Sequence, residues 1–440
     1  MTYTTAYNYL LSLANMPRRE YMADAKHCII YIKRLNSLLN ILENPQKRIP
    51  KYVHITGTSG KGSTSLMISS ILKENKKKVG TITSPHPSTI IERWEISGKT
   101  ISKKKFIQLI EILKPKLDEY LARSPYEMPS FFEIITAIGL YYFAEEKVDW
   151  AVIEVGLGGR YDSTNCIPNK DICVITNIGD DHKNIIGPTK KDIAYEKSGI
   201  IKKGCSVFTM EKNKKILNVM EKECKKVNSK KLIKLNSANG KITNQNIDGI
   251  SFGYKEKKYD LGVLGKHQVH NAIIAIEVAQ SIGISYKIIQ KGLVKVKLPL
   301  RMEILKGKPT IILDGAHNID KIKSTINTIT DISGLNDKNL HIVLGFSYDK
   351  EWPKMLNQLT QLKPKSIACT RYINNIFRTV ADPREICKIV KKKNSKIKTK
   401  IFLDSTDAFN WSQKQAKSND IILVTGSIFL GGEIRLLLKK

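Results

Sequence analysis

A glycine-rich segment with several hydroxyls and one lysine follows a short β-branched run around Ile55. The run predicts a buried strand, and an amphipathic helix is predicted to start at about Lys61. Glycines between a strand and a helix let backbone N–H groups approach an anion, and the helix N-terminus adds partial positive charge. The spacing differs from Walker A, because Ile55 and Gly62 stand where its first glycine and its Ser/Thr would be. We therefore predict a phosphate loop at residues 57–63, with a plain glycine turn as the alternative.

Polar side chains also follow two other predicted strands, residues 149–155 and 172–178. Glu154 lies near the end of the first, and His182 follows the second. The carboxyl ends of parallel strands meet at one edge of a sheet, where ligands bind. A carboxylate in a buried strand is costly unless it is paired or bound to a metal. Glu154, His182 and the hydroxyl of Ser63 could therefore share a divalent ion, although Mg²⁺ prefers oxygen, and a solvated loop histidine is the alternative for His182.

Two further segments have open interpretations. Ser84 and His86 belong to a Ser-Pro-His-Pro loop, in which two prolines force a rigid conformation. They are either site residues or parts of a turn. Lys197, in a helix predicted over residues 190–201, either serves the site or pairs with Glu196 on the surface.

The chain of 440 residues is long enough for two or three domains. Ser130 and Glu133 have capping-box spacing and predict the start of a helix. After a linker at residues 295–300, apolar strands alternate with helical patterns, which is typical of a doubly wound sheet. The strands predicted there are Thr310–Leu313, Leu340–Leu344, Ser366–Cys369, Lys400–Leu403 and Asp420–Val424.

These patterns predict an α/β protein of two domains. Residues 1–297 would form a P-loop-type ATPase domain with a mostly parallel sheet. Residues 298–440 would form a smaller Rossmann-like doubly wound domain. The first strand of that domain ends in Asp314-Gly-Ala-His-Asn318, another polar cluster at a strand end.

The composition restricts the partners and the compartment. The chain has 73 basic and 41 acidic residues, a formal charge of +32. A nucleic-acid partner is one reading, but the lysines are spread along the chain without interleaved aromatics, so we expect an anionic small substrate and no nucleic acid. The seven cysteines form no C-x-x-C pair, which favours free thiols in a reducing compartment. No signal segment or membrane-length apolar run occurs, so we expect a cytoplasmic protein without membrane contact.

The motifs, taken in order, resemble one family. They occur as in the folylpolyglutamate synthase/dihydrofolate synthase family, which is part of the muramyl-ligase-like ATP-dependent amide ligases, and the resemblance covers about residues 30–435. In bifunctional members an Asp-Leu-Gly-Leu-Glu-Arg segment is associated with dihydropteroate, and residues 29–34 stand in its place. The matching motifs are Gly57–Ser63, Ser84–His86, Glu154–Arg160, Asp181–His182, Glu196–Ile201, Asp314–Asn318 and Val424–Ser427.

The resemblance implies ATP and Mg²⁺ as cofactors and assigns roles to individual residues. It implies that Lys197 is carbamylated and that His317 faces the phosphates. The implied catalytic residues are Lys61, Lys197 and His317. The implied nucleotide-binding residues are Gly57, Thr58, Ser59, Gly60, Lys61, Gly62, Ser63, Asn271, Arg301 and Asp314. The implied folate-binding residues are Ser84, His86, Ser130, Phe131, Phe132, Glu133, Tyr161, Asp162 and Ser163, and the implied metal ligands are Ser63, Glu154 and His182.

The implied reaction adds L-glutamate to the γ-carboxyl group of a folate by way of an acyl phosphate, and the conversion of dihydropteroate to dihydrofolate stays open as a second activity. Substrates are then a folate or dihydropteroate, L-glutamate and ATP, and the resemblance implies a monomer. Two alternatives are a related amide ligase acting on a cell-wall precursor or amino-acid polymer, and a nucleic-acid-stimulated ATPase. Phosphoryl transfer needs positioning and charge neutralisation rather than a nucleophilic side chain.

Overall fold

A computed structural model describes residues 1–16, 28–168, 170–180, 183–236, 240–332, 334–375 and 378–439. The chain divides into two compact units. The first comprises Met1–His86, Ile90–Asn239 and His270–Leu293, and the second comprises Pro87–Thr89, Gly240–Val269 and Val294–Lys440. The predicted domain boundary after residue 297 stays a prediction.

The first unit contains an eight-stranded sheet in the described part of the chain. Its order is β4-β3-β2-β5-β1-β6-β7-β8, and only the pairings of β3 with β2 and β4 are antiparallel. The central strands are almost fully buried, which explains their apolar sequences. The strands are β1 Lys51–Thr56, β2 Val79–Ile82, β3 Trp94–Ile96, β4 Lys99–Thr100, β5 Trp150–Glu154, β6 Ile172–Ile175, β7 Ser206–Thr209 and β8 Lys231–Lys234.

The second unit contains a three-stranded antiparallel sheet and a six-stranded sheet. The six-stranded sheet has the order β12-β13-β17-β14-β15-β16 and is parallel except at β12. Successive residues such as Ile312 and Leu313 enter different core clusters, so both faces of the sheet are covered. The strands are β9 Lys241–Asn246, β10 Gly249–Tyr254, β11 Lys257–Leu261, β12 Glu303–Leu305, β13 Thr310–Leu313, β14 Leu340–Leu344, β15 Ser366–Cys369, β16 Lys398–Ile401 and β17 Ile421–Thr425.

None of the described helices has the length and apolar character needed to cross a bilayer. They are α1 Tyr3–Ser12, α2 Ile29–Ile41, α3 Pro45–Arg48, α4 Lys61–Glu74, α5 Lys103–Arg123, α6 Phe131–Glu145, α7 Lys183–Ile186, α8 Lys190–Ser198, α9 Lys214–Val227, α10 His267–Ser281, α11 Tyr286–Lys295, α12 Ile319–Asp331, α13 Trp352–Thr360, α14 Pro383–Lys393, α15 Ser405–Gln415 and α16 Ile428–Leu437. Short 3-10 helices lie at Leu13–Asn15, Ile90–Arg93 and Ser163–Cys166.

The structure confirms the predicted α/β class with a mostly parallel sheet and then a doubly wound sheet. It also confirms the predicted bounds of β13, β14 and β15. The prediction for β16 was wrong by two residues, since the strand is Lys398–Ile401 rather than Lys400–Leu403. The strand lies at the sheet edge, where lysines alternate with less polar residues and no continuous apolar run marks it.

Candidate active site

The predicted phosphate loop, residues 57–63, leads directly from β1 into α4. Gly57 and Gly60 have φ values of 144° and 84°, which side chains rarely adopt. Neighbours also exclude a side chain at both positions. A Cβ atom at Gly57 would lie 1.8 Å from Thr176 Oγ1, and a Cβ atom at Gly60 would lie 2.2 Å from Asn271 Oδ1. The loop is therefore a tight turn that requires glycine at both positions. Asn271, which is predicted to bind the nucleotide, lies against it.

Residues that follow β6 hold the phosphate loop in place. Thr176 Oγ1 donates to the Ser59 carbonyl at 2.6 Å, and Asn177 Oδ1 accepts from the Ser59 amide at 2.9 Å. The Thr58 amide donates to the Asn177 carbonyl at 3.0 Å, and Thr58 Oγ1 accepts from the Gly179 amide at 2.9 Å. Sequence reasoning missed Thr176 and Asn177, although their place at the end of a buried strand was an available signal.

Two lysine ammonium groups meet at the start of the loop. Lys61 Nζ donates to the Gly57 carbonyl at 2.9 Å, and Lys197 Nζ donates to the same oxygen at 3.1 Å. Lys197 is only 2 % exposed, so the alternative of a surface pair with Glu196 was wrong. The two side chains thus converge on one backbone oxygen at the start of the predicted phosphate loop.

Glu154 ends β5, next to β1, where it is paired in register with Ile55. It is 3 % exposed, and its Oε2 accepts from the Ser84 amide at 2.8 Å, which brings the Ser-Pro-His loop to this strand end. Ser63 lies in the first turn of α4. Its hydroxyl and the Glu154 carboxylate offer the oxygen chemistry that Mg²⁺ prefers, so these residues fit the ion. Asp181 and His182 lie outside the described residues.

Within the described ranges, no three His, Cys, Asp or Glu side chains form a group able to hold a metal ion. Besides Glu154, the described residues would therefore offer a metal only hydroxyl oxygens as side-chain ligands of this kind. Its other ligands would be phosphate or water oxygens. Such a ligand set is ordinary for Mg²⁺ that enters a site together with a nucleotide.

His86 is held as a neutral hydrogen-bond donor. Arg93 Nε donates to His86 Nδ1 at 3.1 Å, so the proton of the neutral ring lies on Nε2. Burial, assisted by the Arg93 charge, lowers the pKa of His86 to about 3. The ring therefore stays neutral across the physiological range. Arg93 gave no signal in the sequence, because it lies in a short 3-10 helix with no recognisable motif.

Helix α6, which begins with the predicted folate-contacting residues 131–133, contacts the glycine-rich run and the following residues up to Ser163. The Phe132 ring lies against Gly156, where a Cβ atom would approach it to 2.3 Å. Thr136 Oγ1 and Ser163 Oγ are 3.1 Å apart. Tyr161, like Phe131, is partly buried. An aromatic and a glycine-rich segment thus form adjoining surfaces in the described first unit.

Asp162 is buried below this surface and is held by a chain of hydrogen bonds. Its Oδ1 accepts from Thr164 Oγ1 at 2.5 Å, and its Oδ2 accepts from the Leu157 amide at 2.9 Å. His54 Nε2 lies 2.8 Å from Thr164 Oγ1 and must donate, because that hydroxyl gives its proton to Asp162. Burial raises the pKa of Asp162, and the bonds from Thr164 and Leu157 oppose this shift. Sequence reasoning missed His54, which reads as an ordinary strand residue.

Replacement of Thr164 with valine is expected to lower the free energy of unfolding by about 1–3 kcal/mol, because Asp162 and His54 each lose a buried partner. Urea unfolding followed by circular dichroism measures this. The control is Thr243→Val on the exposed part of β9, which should change stability little. Equal stability of both variants would show that the buried network contributes nothing specific.

In the second unit, Asp314 organises the backbone around Arg301. Its Oδ2 accepts from the Met302 amide at 2.9 Å, and its Oδ1 accepts from Thr325 Oγ1 at 2.6 Å. Leu300 and Met302 flank Arg301 with φ values of 55° and 51°, in the left-handed region that costs non-glycine residues energy. Asp314 thus holds a strained turn that sets the position of the Arg301 side chain.

His317 lies three residues after Asp314. Its Nδ1 donates to the Gly315 carbonyl at 2.8 Å, and its Nε2 accepts from Lys321 Nζ at 3.0 Å. Burial, followed by the charge of Lys321, lowers the pKa of His317 to about 4. His317 is therefore neutral near pH 7, with a cation beside its outer nitrogen.

The buried histidines predict a loss of stability in acid. His86 and His317 stay neutral in the fold down to about pH 3 and 4, whereas the unfolded chain protonates them near pH 6.5. Unfolding therefore takes up protons between about pH 6.5 and 4. As the pH falls through this interval, the free energy of unfolding decreases by up to about 1.4 kcal/mol per pH unit for each histidine. Urea unfolding of wild type and of His86→Gln/His317→Asn between pH 4.5 and 7.5 measures this.

As the pH falls, the free energy of unfolding should decrease less for the double variant than for wild type. The difference between the two proteins is the informative quantity, because burial raises the pKa of Glu196 to about 7 and gives the opposite slope over the same interval. Parallel profiles would mean that both histidines protonate normally in the fold.

Comparison with known proteins identifies the family of this chain. The family model Mur ligase middle domain matches residues 55–279, and the model Mur ligase, glutamate ligase domain matches residues 300–428. Over 420 residues the chain is 33% identical to the dihydrofolate synthase/folylpolyglutamate synthase of Bacillus subtilis, covering 92% of this chain and 94% of that protein.

Solved structures show the same fold over nearly the whole chain. The crystal structure of folylpolyglutamate synthase from Thermotoga maritima has a TM-score of 0.82 and 29% identity, covering 99% of this chain and 97% of that one. The folylpolyglutamate synthase of Mycobacterium tuberculosis complexed with ADP has a TM-score of 0.82 and 25% identity, covering 100% and 99%. The match in sequence and fold confirms the predicted family: this chain belongs to the folylpolyglutamate synthase/dihydrofolate synthase family of ATP-dependent ligases.

Proposed function

We propose that this chain adds L-glutamate to the γ-carboxyl group of a folate, at the expense of ATP and with Mg²⁺. The observation that carries the proposal is the phosphate loop, where Lys61 and Lys197 converge on the Gly57 carbonyl beside the strand that ends in Glu154. Such a loop suits the terminal phosphates of a nucleotide. The adjoining surface at Phe132 and Asp162 suits a flat, hydrogen-bonding ring system.

The reaction divides into two transfers. The substrate carboxylate attacks the γ-phosphorus of ATP and gives an acyl phosphate and ADP. The amino group of glutamate then attacks the acyl carbon, phosphate leaves with the bonding electrons, and an amide remains after loss of a proton. Lys61 and the amides of the phosphate loop hold and neutralise the phosphates during the first transfer. Bound Mg²⁺ would neutralise further phosphate charge, with Ser63 and Glu154, and His182 by resemblance, as its ligands.

The surrounding residues take supporting roles in this proposal. His86 offers a fixed Nε2–H to an anionic substrate oxygen near Ser84. Ser130, Phe131, Phe132, Glu133, Tyr161, Asp162 and Ser163 form or support the folate surface. Asn271, Arg301 and Asp314 serve the nucleotide, with His317 facing its phosphates, and Lys197 is the residue proposed to carry a carbamate.

A product assay tests the proposal. The enzyme is incubated with ATP, Mg²⁺, L-glutamate and either tetrahydrofolate or dihydropteroate, and products are identified by mass spectrometry. We expect each turnover with tetrahydrofolate to add one glutamyl residue. Glutamylation of dihydropteroate would add the second activity in the name of the Bacillus subtilis relative. Products only from a muramyl or amino-acid-polymer substrate would overturn the folate assignment. ATPase activity stimulated by DNA or RNA but indifferent to glutamate would overturn the ligase proposal.

We further propose a cytoplasmic monomer without nucleic-acid or membrane partners. Light scattering after size exclusion tests the monomer. The charge of +32 is spread along the chain, which supports a general attraction for anionic substrates such as folates and ATP.

A further inference from the structure

A buried arginine of the first unit carries a charge that its protein neighbours leave without a direct partner. Arg93 is 8% exposed, and its Nε donates to His86 Nδ1 at 3.1 Å. Its NH1 group is buried and has no hydrogen-bond partner, and Arg93 forms no ion pair with the residues that the structure describes. Burial lowers the pKa of Arg93 to about 10, and the charge of Glu154 opposes this shift, so the guanidinium is charged near pH 7.

Such an unpaired charge is unfavourable for the fold. A buried donor without a partner has lost its hydration and gained nothing in return, and the cost is greater for a charged group. Buried charges in proteins are therefore normally paired or hydrogen-bonded. Exceptions to such rules occur chiefly at functional sites, where a ligand supplies the missing partner. For Arg93 that ligand would be an anion that reaches NH1.

The sheet places Arg93 at the same end of the strands as Glu154. The Thr83 amide donates to the Arg93 carbonyl at 3.2 Å, so the antiparallel pairing of β2 with β3 continues as far as Arg93. This position lies at the carboxyl end of β2. On its other side β2 pairs in parallel with β5, which ends at Glu154. Arg93 thus lies at the edge of the sheet where ligands bind in open α/β folds.

We propose that Arg93 binds the reacting carboxylate of the folate substrate through NH1 and NH2. This inference rests on the proposed function, which supplies that carboxylate. NH1 and NH2 form a planar fork whose two donors match the two oxygens of a carboxylate. The carboxylate and the γ-phosphate of ATP are both anions, so a fixed cation beside the carboxylate lowers their repulsion while the first transfer takes place.

A carboxylate suits this place better than a phosphate does. The strand order β3-β2-β5-β1 puts Arg93 on one side of Glu154, whereas the phosphate loop with Lys61 follows β1 on the other side. The remaining anion of the proposed reaction that needs a cation on this side is the substrate carboxylate. A role as counter-charge for Glu154 alone explains Arg93 less well, because NH1 would still have no partner.

Two ligands that differ in one group test the inference. They are tetrahydrofolate and its analogue with glutamine in place of glutamate, in which a neutral amide replaces the γ-carboxylate. Isothermal titration, with a non-hydrolysable ATP analogue and Mg²⁺ present, gives the Kd of both ligands for wild type, Arg93→Gln and Arg93→Lys. The glutamine side chain can still donate to His86 Nδ1 but carries no charge. The control is Arg123→Gln in the last turn of α5, where the arginine side chain is 75% exposed.

We expect wild type to bind tetrahydrofolate at least about tenfold more tightly than the amide, which is typical of a hydrogen bond between charged groups. For Arg93→Gln the two Kd values should agree within about twofold, and its Kd for the amide should stay within about threefold of wild type. Arg93→Lys keeps the charge without the fork, so its preference for the carboxylate should be at least about threefold weaker than that of wild type. It serves as the test protein if Arg93→Gln does not fold. Arg123→Gln should keep the wild-type preference.

A wild-type preference for the carboxylate in a folded Arg93 variant would overturn the inference. Equal weakening of both ligands would also overturn it, because Arg93 would then support the site without meeting the carboxylate. Failure of the proposed function has a different signature, since the wild-type chain would then bind neither ligand and form no glutamylated product. A wild-type chain that glutamylates tetrahydrofolate but binds both ligands equally would refute the inference alone.

Discussion

Replacement of Lys61 with alanine is expected to lower the rate of ADP formation by about 10²–10³-fold or more, with the fold intact. Lys61 begins α4, and its ammonium group lies 2.9 Å from the Gly57 carbonyl at the mouth of the phosphate loop. Phosphoryl transfer depends on neutralising charge that spreads over the phosphate oxygens, and alanine removes the full charge placed there. A coupled assay of ADP release, run with saturating folate and glutamate, measures the effect.

The control for this experiment is Lys73→Ala, in the exposed last turn of the same helix. It removes an identical charge from α4 at a distance from the loop and should leave turnover close to wild type. Near-normal ADP release by the Lys61 variant would refute the assignment of residues 57–63 to phosphate binding. Circular dichroism spectra of both variants should match wild type, because neither side chain is a core residue.

Replacement of Lys197 with methionine is expected to cost about 10²-fold or more in turnover while preserving the fold. The Lys197 ammonium group is buried and bonds to the Gly57 carbonyl at 3.1 Å. Methionine has a similar length, so it fills the same buried space, but it carries no charge and cannot donate to the Gly57 carbonyl. Turnover and urea unfolding are measured together, so that a loss of activity is separated from a loss of folding.

Lys191→Met is the matched control, because Lys191 lies on the exposed side of α8. We expect wild-type activity from it. If the Lys197 variant kept its activity, the buried lysine would be a structural element of α8 and would have no place in catalysis. A carbamate on Lys197 would be visible as density at its ε-nitrogen, and intact-protein mass would not detect it because carbamates are labile.

The sequence was informative where local pattern decides structure. The glycine turn after β1, the capping box of Ser130 and Glu133, and strands β13, β14 and β15 were predictable, because strand burial, glycine turns and helix caps depend on neighbouring residues. The short antiparallel strands β3, β4 and β12 were not predictable, because two or three residues are too few to show a hydrophobic periodicity.

The supporting residues of the candidate site could not be predicted. Arg34 meets Glu133 across 99 residues of sequence, and His54 meets Thr164 across 110. Each is an ordinary residue of a helix or strand, and its partner is fixed only when the sheet and helices pack. Lys197 shows the same limit: near Glu196 in sequence it suggested a surface pair, whereas the fold directs it inward to Gly57.

The central claim is that a nucleotide's outer phosphates lie between Lys61 and the strand end at Glu154, with a divalent metal bound there. A crystal structure with a non-hydrolysable ATP analogue and Mn²⁺, read by the anomalous signal of manganese, tests it most directly. The account predicts a manganese peak within bonding distance of Ser63 Oγ and on the Glu154 side of the γ-phosphate, with Lys61 Nζ at that phosphate. An analogue bound away from residues 57–63, or a manganese peak remote from both Ser63 and Glu154, would contradict it.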